Sequence, residues 1–170
     1  MAHKIYIGID NGVTGTIGWV GENLAPGMIE TPVKVEQSYT KAKKNITRID
    51  CGKLGDVLRC ALMGVEPAEV LVVVERPMIN PMRFAASVSA ARAQEALLVT
   101  LEGMELPRMY VDSRDWQKVL LPKGTKGAPE LKSASMDIGA RLFPSLDAII
   151  HKHKDADGLL IAEWARREGL

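Results

Sequence analysis

Two apolar runs that each end in a carboxylate constrain the fold of this chain more than any other feature. Ile5-Tyr6-Ile7-Gly8-Ile9 leads into Asp10, and Val70-Leu71-Val72-Val73-Val74 leads into Glu75. Short continuous apolar runs rich in β-branched residues read as strands covered on both faces, as in a parallel sheet between helices. An acid at the end of such a strand adds nothing to a core. Beside a backbone-exposing turn, here Asn11-Gly12-Val13-Thr14-Gly15, it is well placed to hold a metal ion or to meet a phosphate. A further acidic pair, Asp155-Ala156-Asp157, opens the last helix-like segment. Acids at three element ends, far apart in sequence, point to one metal site.

The chain has 170 residues, which fits one domain, 1–170, with a sizeable core. No segment approaches the ~18 uninterrupted apolar residues of a membrane span. The start, Met1-Ala2-His3-Lys4, lacks the charged and apolar regions of a signal peptide. Cys51 and Cys60 have no metal-ligand spacing and read as reduced thiols of a cytosolic protein, with Cys60 on the core face of a helix. The net charge of +1 neither requires nor excludes nucleic acid. Local charge says more: Lys41, Lys43, Lys44 and Arg48 form one cluster, and Lys123, Lys126 and Lys132 gather around glycines in another. Either cluster is suited to phosphates or to a solvated surface.

Periodicity predicts strands at 4–10, 15–20, 27–33, 69–75 and 108–112, the first two joined as a hairpin. Leu54, Val57, Leu58, Ala61 and Leu62 recur at helical spacing and predict a helix over 52–64. Pro77 and Pro81 break the chain before a long Ala- and Ser-rich helix at 84–103. Asp112 reads as the N-cap of a short helix carrying Trp116. Pro129 suits the first turn of a helix at 129–143, and a last helix covers 155–168. Residues 36–50 read as an irregular or extended excursion. The order gives an α/β fold: a five-stranded mixed sheet, its first three strands antiparallel, with helices on both faces. Strand 4 beside strand 1 would bring Glu75 to Asp10, and the last helix would bring Asp157.

The stations Gly8-Ile9-Asp10-Asn11-Gly12 with Gly15, Glu75-Arg76-Pro77 with Asn80-Pro81 and Arg83-Phe84, Ser113-Arg114-Asp115-Trp116-Gln117-Lys118, and His153-Lys154-Asp155-Ala156-Asp157-Gly158 through Glu163 resemble, in order and spacing, the RuvC-type Holliday junction resolvases. These belong to the ribonuclease H-like superfamily, and the short phage-type members are the most similar. The resemblance spans nearly the whole chain. It implies a homodimeric endonuclease that resolves four-way DNA junctions in the cytoplasm, phage-encoded in a bacterial host or bacterial. In the better-known bacterial resolvases the last two acidic stations lie three residues apart. Here Lys154 stands three before Asp157, with Asp155 two before and His153 four before, so either could be the fourth ligand.

The implied chemistry uses two Mg²⁺ ions about 4 Å apart, which ionise a water and stabilise the leaving oxygen of a phosphodiester; Mn²⁺ would substitute. Asp10 is expected to bridge both ions, Glu75 to hold one, and Asp157 with Asp155 or His153 to hold the other. Each residue also has a plainer reading. Asp10 could serve only its turn. Glu75 could pair with Arg76, Arg83 or a lysine, and Asp155 could simply cap the last helix. Asp157 suits a helix dipole, and histidines at 151 and 153 read as exposed. Trp116 reads as helix packing. Phe84 reads as core packing at a helix start, or as a wedge into an opened junction. Other readings are cleavage of flaps, forks or RNA–DNA hybrids, junction binding without catalysis, and an actin-like phosphate loop. The last would need a second such domain.

Overall fold

Residues 4–170 are described by the structure, a computed structural model; the leader reading at Met1-Ala2-His3 falls outside them. Seven strands and six helices follow one another: β1 (Ile5–Ile9), β2 (Thr16–Gly21), β3 (Gly27–Glu30), β4 (Val33–Gln37), β5 (Asn45–Ile49), α1 (Cys51–Ala61), β6 (Val70–Glu75), α2 (Phe84–Gly103), β7 (Arg108–Val111), α3 (Ser113–Leu120), α4 (Ala128–Leu142), α5 (Asp147–His153) and α6 (Asp157–Glu168). The main sheet has the order β3-β2-β1-β6-β7. The first three strands are antiparallel, and β1–β6 and β6–β7 are parallel. This is the expected five-stranded mixed sheet.

The period of two along each strand divides the core between two faces. Ile5, Ile7 and Ile9, with Val70, Val72 and Val74, pack against Leu54 and Leu58 of α1 and Leu97 and Leu101 of α2. Tyr6, Leu71 and Val73 face Trp116 of α3 and Leu159 to Ala162 of α6. Each large apolar side chain fully buried this way contributes about 1.5–3 kcal/mol. Trp116 is wholly buried, as its packing role requires. Among the described residues no helix is long and apolar enough to cross a membrane.

Three local expectations are refined or corrected. Residues 36–50 are extended rather than irregular: β4 and β5 pair as a separate two-stranded sheet, from Val33↔Ile49 to Gln37↔Asn45. The alternation Val33-Lys34-Val35-Glu36 already carried that signal. Cys60 is exposed rather than on the core face, because Leu54 and Leu58 define the buried stripe of α1 and position 60 lies about 160° round from 58 at 100° per residue. Asp112 is the N-cap residue of α3 as expected, but its side chain makes no capping hydrogen bond; its carboxylate pairs with Arg76 Nε at 2.9 Å instead. α5 was not read from sequence; it is only seven residues long, too short for a full apolar period to register.

Candidate metal centre

Strand register brings the first two acids together. Ile9 pairs with Val74 in the parallel β1–β6 ladder, so Asp10 and Glu75 follow at adjacent strand ends. Both have the parity of Tyr6 and Val73, the face that α6 covers. α6 can lie close because the contact is built from glycine. A Cβ at Gly8 would fall inside the Gly158 carbonyl oxygen, and one at Gly18 would collide with the Leu159 backbone. A Cβ at Gly158 would in turn overlap the Thr16 carbonyl. With no side chains between them, the first turn of α6 rests directly on β1 and β2, and Asp157 is delivered beside Asp10.

Asp155 arrives by a different device. α5 ends at Lys154 in the left-handed conformation (φ 54°), which turns the chain back toward the sheet. Asp155 Oδ1 then accepts the Asp157 backbone N–H at 2.7 Å and lies 3.3 Å from Thr16 Oγ, which accepts the Gly158 N–H at 3.1 Å. Asp155 therefore both organises the start of α6 and faces the cluster. Asp10, Asp155 and Asp157 each offer a ligand oxygen, and these atoms all lie within 4.8 Å of one another. Glu75 stands outside that group of three but close enough to interact electrostatically with Asp10. Its carboxylate is held by the Ser113 hydroxyl at the start of α3.

The electrostatics are those of a site short of positive charge. Burial raises the Asp10 pKa well above the carboxylate range, and the charges of Asp157, Asp155 and Glu75 raise it further. Burial also raises Glu75, against the opposing hydrogen bond from Ser113. Asp157 is raised by burial and by Asp155, and partly relieved by Lys132 and Ser135. Converging carboxylates that repel in a desolvated niche suit a hard divalent cation, whose preferred ligands are oxygens.

The cluster also contains a cation of its own. Lys132 of α4 pairs with Asp155 and lies 3.4 Å from Asp157 Oδ2, and Ser135, one helical turn on, hydrogen-bonds Asp157. Burial opposes the charge of Lys132, but Asp157 and Asp155 outweigh it and its pKa is raised. Lys132 thus lies with the acids, apart from Lys123 and Lys126, which are exposed in the loop before α4. Sequence proximity grouped the three lysines; helical spacing of Lys132 and Ser135 was the signal that separates them. Lys132→Ala is expected to lower the melting temperature of the metal-free protein by the equivalent of about 1 kcal/mol, discounted for its partial exposure. The difference should shrink when Mg²⁺ is added, which paired thermal melts would measure.

The remaining candidates lie elsewhere. His153 is turned away, its Nδ1 2.7 Å from Glu30 Oε1 at the end of β3, and is not among the converging ligands. Lys41, Lys43 and Lys44 are exposed in the turn between β4 and β5, and Arg83 is exposed before α2. Phe84 is 76% exposed and does not pack in the core; the small residues after it, Ala85 and Ala86, are exposed as well, so this end of α2 extends beyond the sheet. Glu163 is buried at the far part of α6, where Arg166 and Arg167 hold it at 2.8 and 2.7 Å. Ser135 and Thr16 were not singled out from sequence, and Ser113 entered only as the first residue of the 113–118 station with no role of its own, since a lone hydroxyl carries no spacing signal.

A mixed β3-β2-β1-β6-β7 sheet with acids at the ends of β1 and β6 and at the start of the helix crossing them is a ribonuclease H-like fold. No family model matches the chain, and no curated protein does. Solved structures do. The chain is similar to Thermus thermophilus RuvC in complex with a Holliday junction substrate, at 19% identity and a TM-score of 0.61, over 98% of this chain and 97% of that one. It is also similar to another Thermus thermophilus RuvC structure, at 18% identity and a TM-score of 0.51, over 97% and 96%. The fold is therefore that of RuvC from end to end.

Proposed function

We propose that this chain is a divalent-metal-dependent endodeoxyribonuclease that cuts branched DNA, with the four-way junction as its main substrate. The observation that carries the proposal is the convergence of Asp10, Asp155 and Asp157 at one sheet edge, with Glu75 beside them. The RuvC fold over the full length supports it.

Asp10, Asp157, Asp155 and Glu75 would hold two Mg²⁺ ions, with Mn²⁺ as a substitute, and His153 would not take part. Bound there, the ions would supply an ionised water and charge stabilisation at the leaving oxygen of the phosphodiester. The protein's own groups prepare the site. Ser113 and Ser135 fix the orientation of Glu75 and Asp157, and Thr16 with the Asp157 backbone N–H fixes Asp155. Lys132 limits the repulsion among the acids. Hydrogen bonds of this kind to metal ligands are typically worth about 10–100-fold in metal affinity or activity. Ser135→Ala should accordingly raise the Mg²⁺ concentration for half-maximal cleavage by about tenfold, read from a Mg²⁺ titration of initial rates.

Paired cuts on opposing strands of a junction require two sites at a fixed separation. A homodimer meets that need, and the small-residue surface around Ala85 and Ala86 at the projecting end of α2 permits close approach of a second copy. The chain would work on genome DNA in a bacterial cytoplasm, phage-encoded or bacterial. The test compares cleavage of a four-way junction, a flap, a fork, an RNA–DNA hybrid and linear duplex in Mg²⁺. Symmetric paired nicks in the junction, faster than cleavage of the others, are expected. Preference for the hybrid or the flap would reassign the substrate, and junction binding in Ca²⁺ with no cutting in Mg²⁺ would remove the catalytic claim.

A further inference from the structure

The β4–β5 hairpin stands outside the five-stranded sheet. A lone two-stranded hairpin is marginal in water, yet this one is anchored at its root. Ile49 is buried in the core, and the Asp50 N–H donates to the Pro32 carbonyl at 2.9 Å. The Thr31 N–H donates to the Gly15 carbonyl at 2.9 Å. Gly15 closes the turn that follows Asp10, so tightly that a Cβ there would overlap the Asp10 carbonyl. The hairpin root and the first metal-site acid are thus fixed to the same turn.

Charge is distributed unevenly along the hairpin. Along the paired strands, Glu36 binds Lys34 at 2.6 Å and Arg48 at 2.8 Å, and so consumes the positive charge of the stalk. At the tip, Lys41, Lys43 and Lys44 are exposed and have no ion pair among the described residues. Tyr39, 81% exposed, stands beside them. Between the hairpin and α2 runs a cleft of about 420 Å³, lined by Val13 of the Asp10–Gly15 turn, Tyr39, Arg48 and Arg92. The Arg92 Nε is buried there with no hydrogen-bond partner among the described residues. Five residues of strand carry the tip roughly 16 Å from the root, close to half of the ~34 Å helical turn of B-DNA.

We infer that the β4–β5 hairpin is a phosphate-gripping arm, whose tip lysines contact the backbone of the duplex arm adjoining the cut site. This rests on the reading of the chain as a DNA enzyme. The occupant is set by charge: three uncompensated ammonium groups at the end of an anchored two-stranded stalk fit the regular line of phosphates along a duplex, and such contacts position the substrate without reading sequence.

The experiment replaces Lys41, Lys43 and Lys44 together by Gln, which keeps the tip polar and touches no buried group. Binding to a four-way junction is measured in Ca²⁺ across about 50–200 mM salt, with hydroxyl-radical footprinting of the same complexes. Each lost phosphate contact should make the slope of log K against log salt shallower by about 0.9. A change of about 2–3 is expected for the triple variant, with loss of protection on one arm. An unchanged slope or an unchanged footprint would overturn the inference. Cleavage by the unmutated protein in Mg²⁺ is scored separately. If it does not cut while the slope and footprint still change, the nuclease reading fails and the gripping arm stands.

Discussion

Asp10→Asn should abolish Mg²⁺-dependent cleavage while making the metal-free protein more stable. The two effects have one cause. The Asp10 carboxylate lies desolvated among three other acids, which raises its pKa well above the usual value, so its charge is a burden to the fold that Lys132 offsets only in part and a bound cation would repay. Asn keeps the shape and removes the charge. The loss of rate should be at least about 100-fold, the equivalent of the several kcal/mol of charge stabilisation a metal ion provides. In EDTA the variant should melt a few degrees higher, at about 2–4 °C per kcal/mol in a chain of this size. Saturating Mg²⁺ should reverse the order, because only the unmutated protein gains from the ion.

The pH dependence follows with a definite sign. Asp10, Glu75 and Asp157 all have raised values in the folded state. Through these three groups the folded protein binds more protons than the unfolded chain, and their contribution to stability falls as pH rises. The loss begins near the unfolded carboxylate values of about 4 and is complete above the raised folded values. Thermal melts without metal should show this decline, and Asp10→Asn should flatten it. A metal-free variant that melts lower than the parent at neutral pH would show that the acids are not in conflict.

Gly8→Ala is the second large effect. A Cβ at this position meets the Gly158 carbonyl, the Ala162 amide nitrogen and the Ile161 side chain. The first two are backbone of α6, so relief requires the helix to lift from β1. Overpacking against movable side chains costs about 1–3 kcal/mol; against backbone the upper end or more is expected. At roughly 3 kcal/mol the melting temperature should fall by about 6–12 °C. Activity should fall further than unfolding accounts for, since lifting α6 carries Asp157 away from Asp10. Gly103→Ala, at the last residue of α2, is the control: nothing lies within 4 Å of its Cβ position, so it should melt with the parent or slightly above it. If Gly8→Ala melts with the parent and cuts at the same rate, the glycine contact is not what seats the helix.

The features readable in the sequence were those written in period and in element ends. Runs such as Val70–Val74 defined strands, and an acid directly after each run marked the sheet edge where Asp10 and Glu75 meet. The Asp155–Asp157 pair was visible for the same reason. What could not be read depended on three-dimensional closure. Lys132 looked like one more lysine of a basic loop until α4 carried it over the acids. His153 and Asp155 were equivalent candidates on spacing, and the left-handed turn at Lys154 separates them by sending His153 toward Glu30. Phe84 had the sequence of a core residue, but α2 begins beyond the edge of the sheet it packs on. The glycines at 8, 18 and 158 matter only as partners, a relation that no local pattern records.

The most direct test is a crystal structure with Mn²⁺ bound, located by anomalous scattering. The account predicts metal in the niche between β1, β6 and α6, with an Asp10 oxygen as a ligand at about 2.0–2.2 Å and Asp155, Asp157 or Glu75 completing the protein ligands. At saturating Mn²⁺, an anomalous map with no peak at Asp10, or with its only peaks ligated elsewhere on the chain, would contradict it.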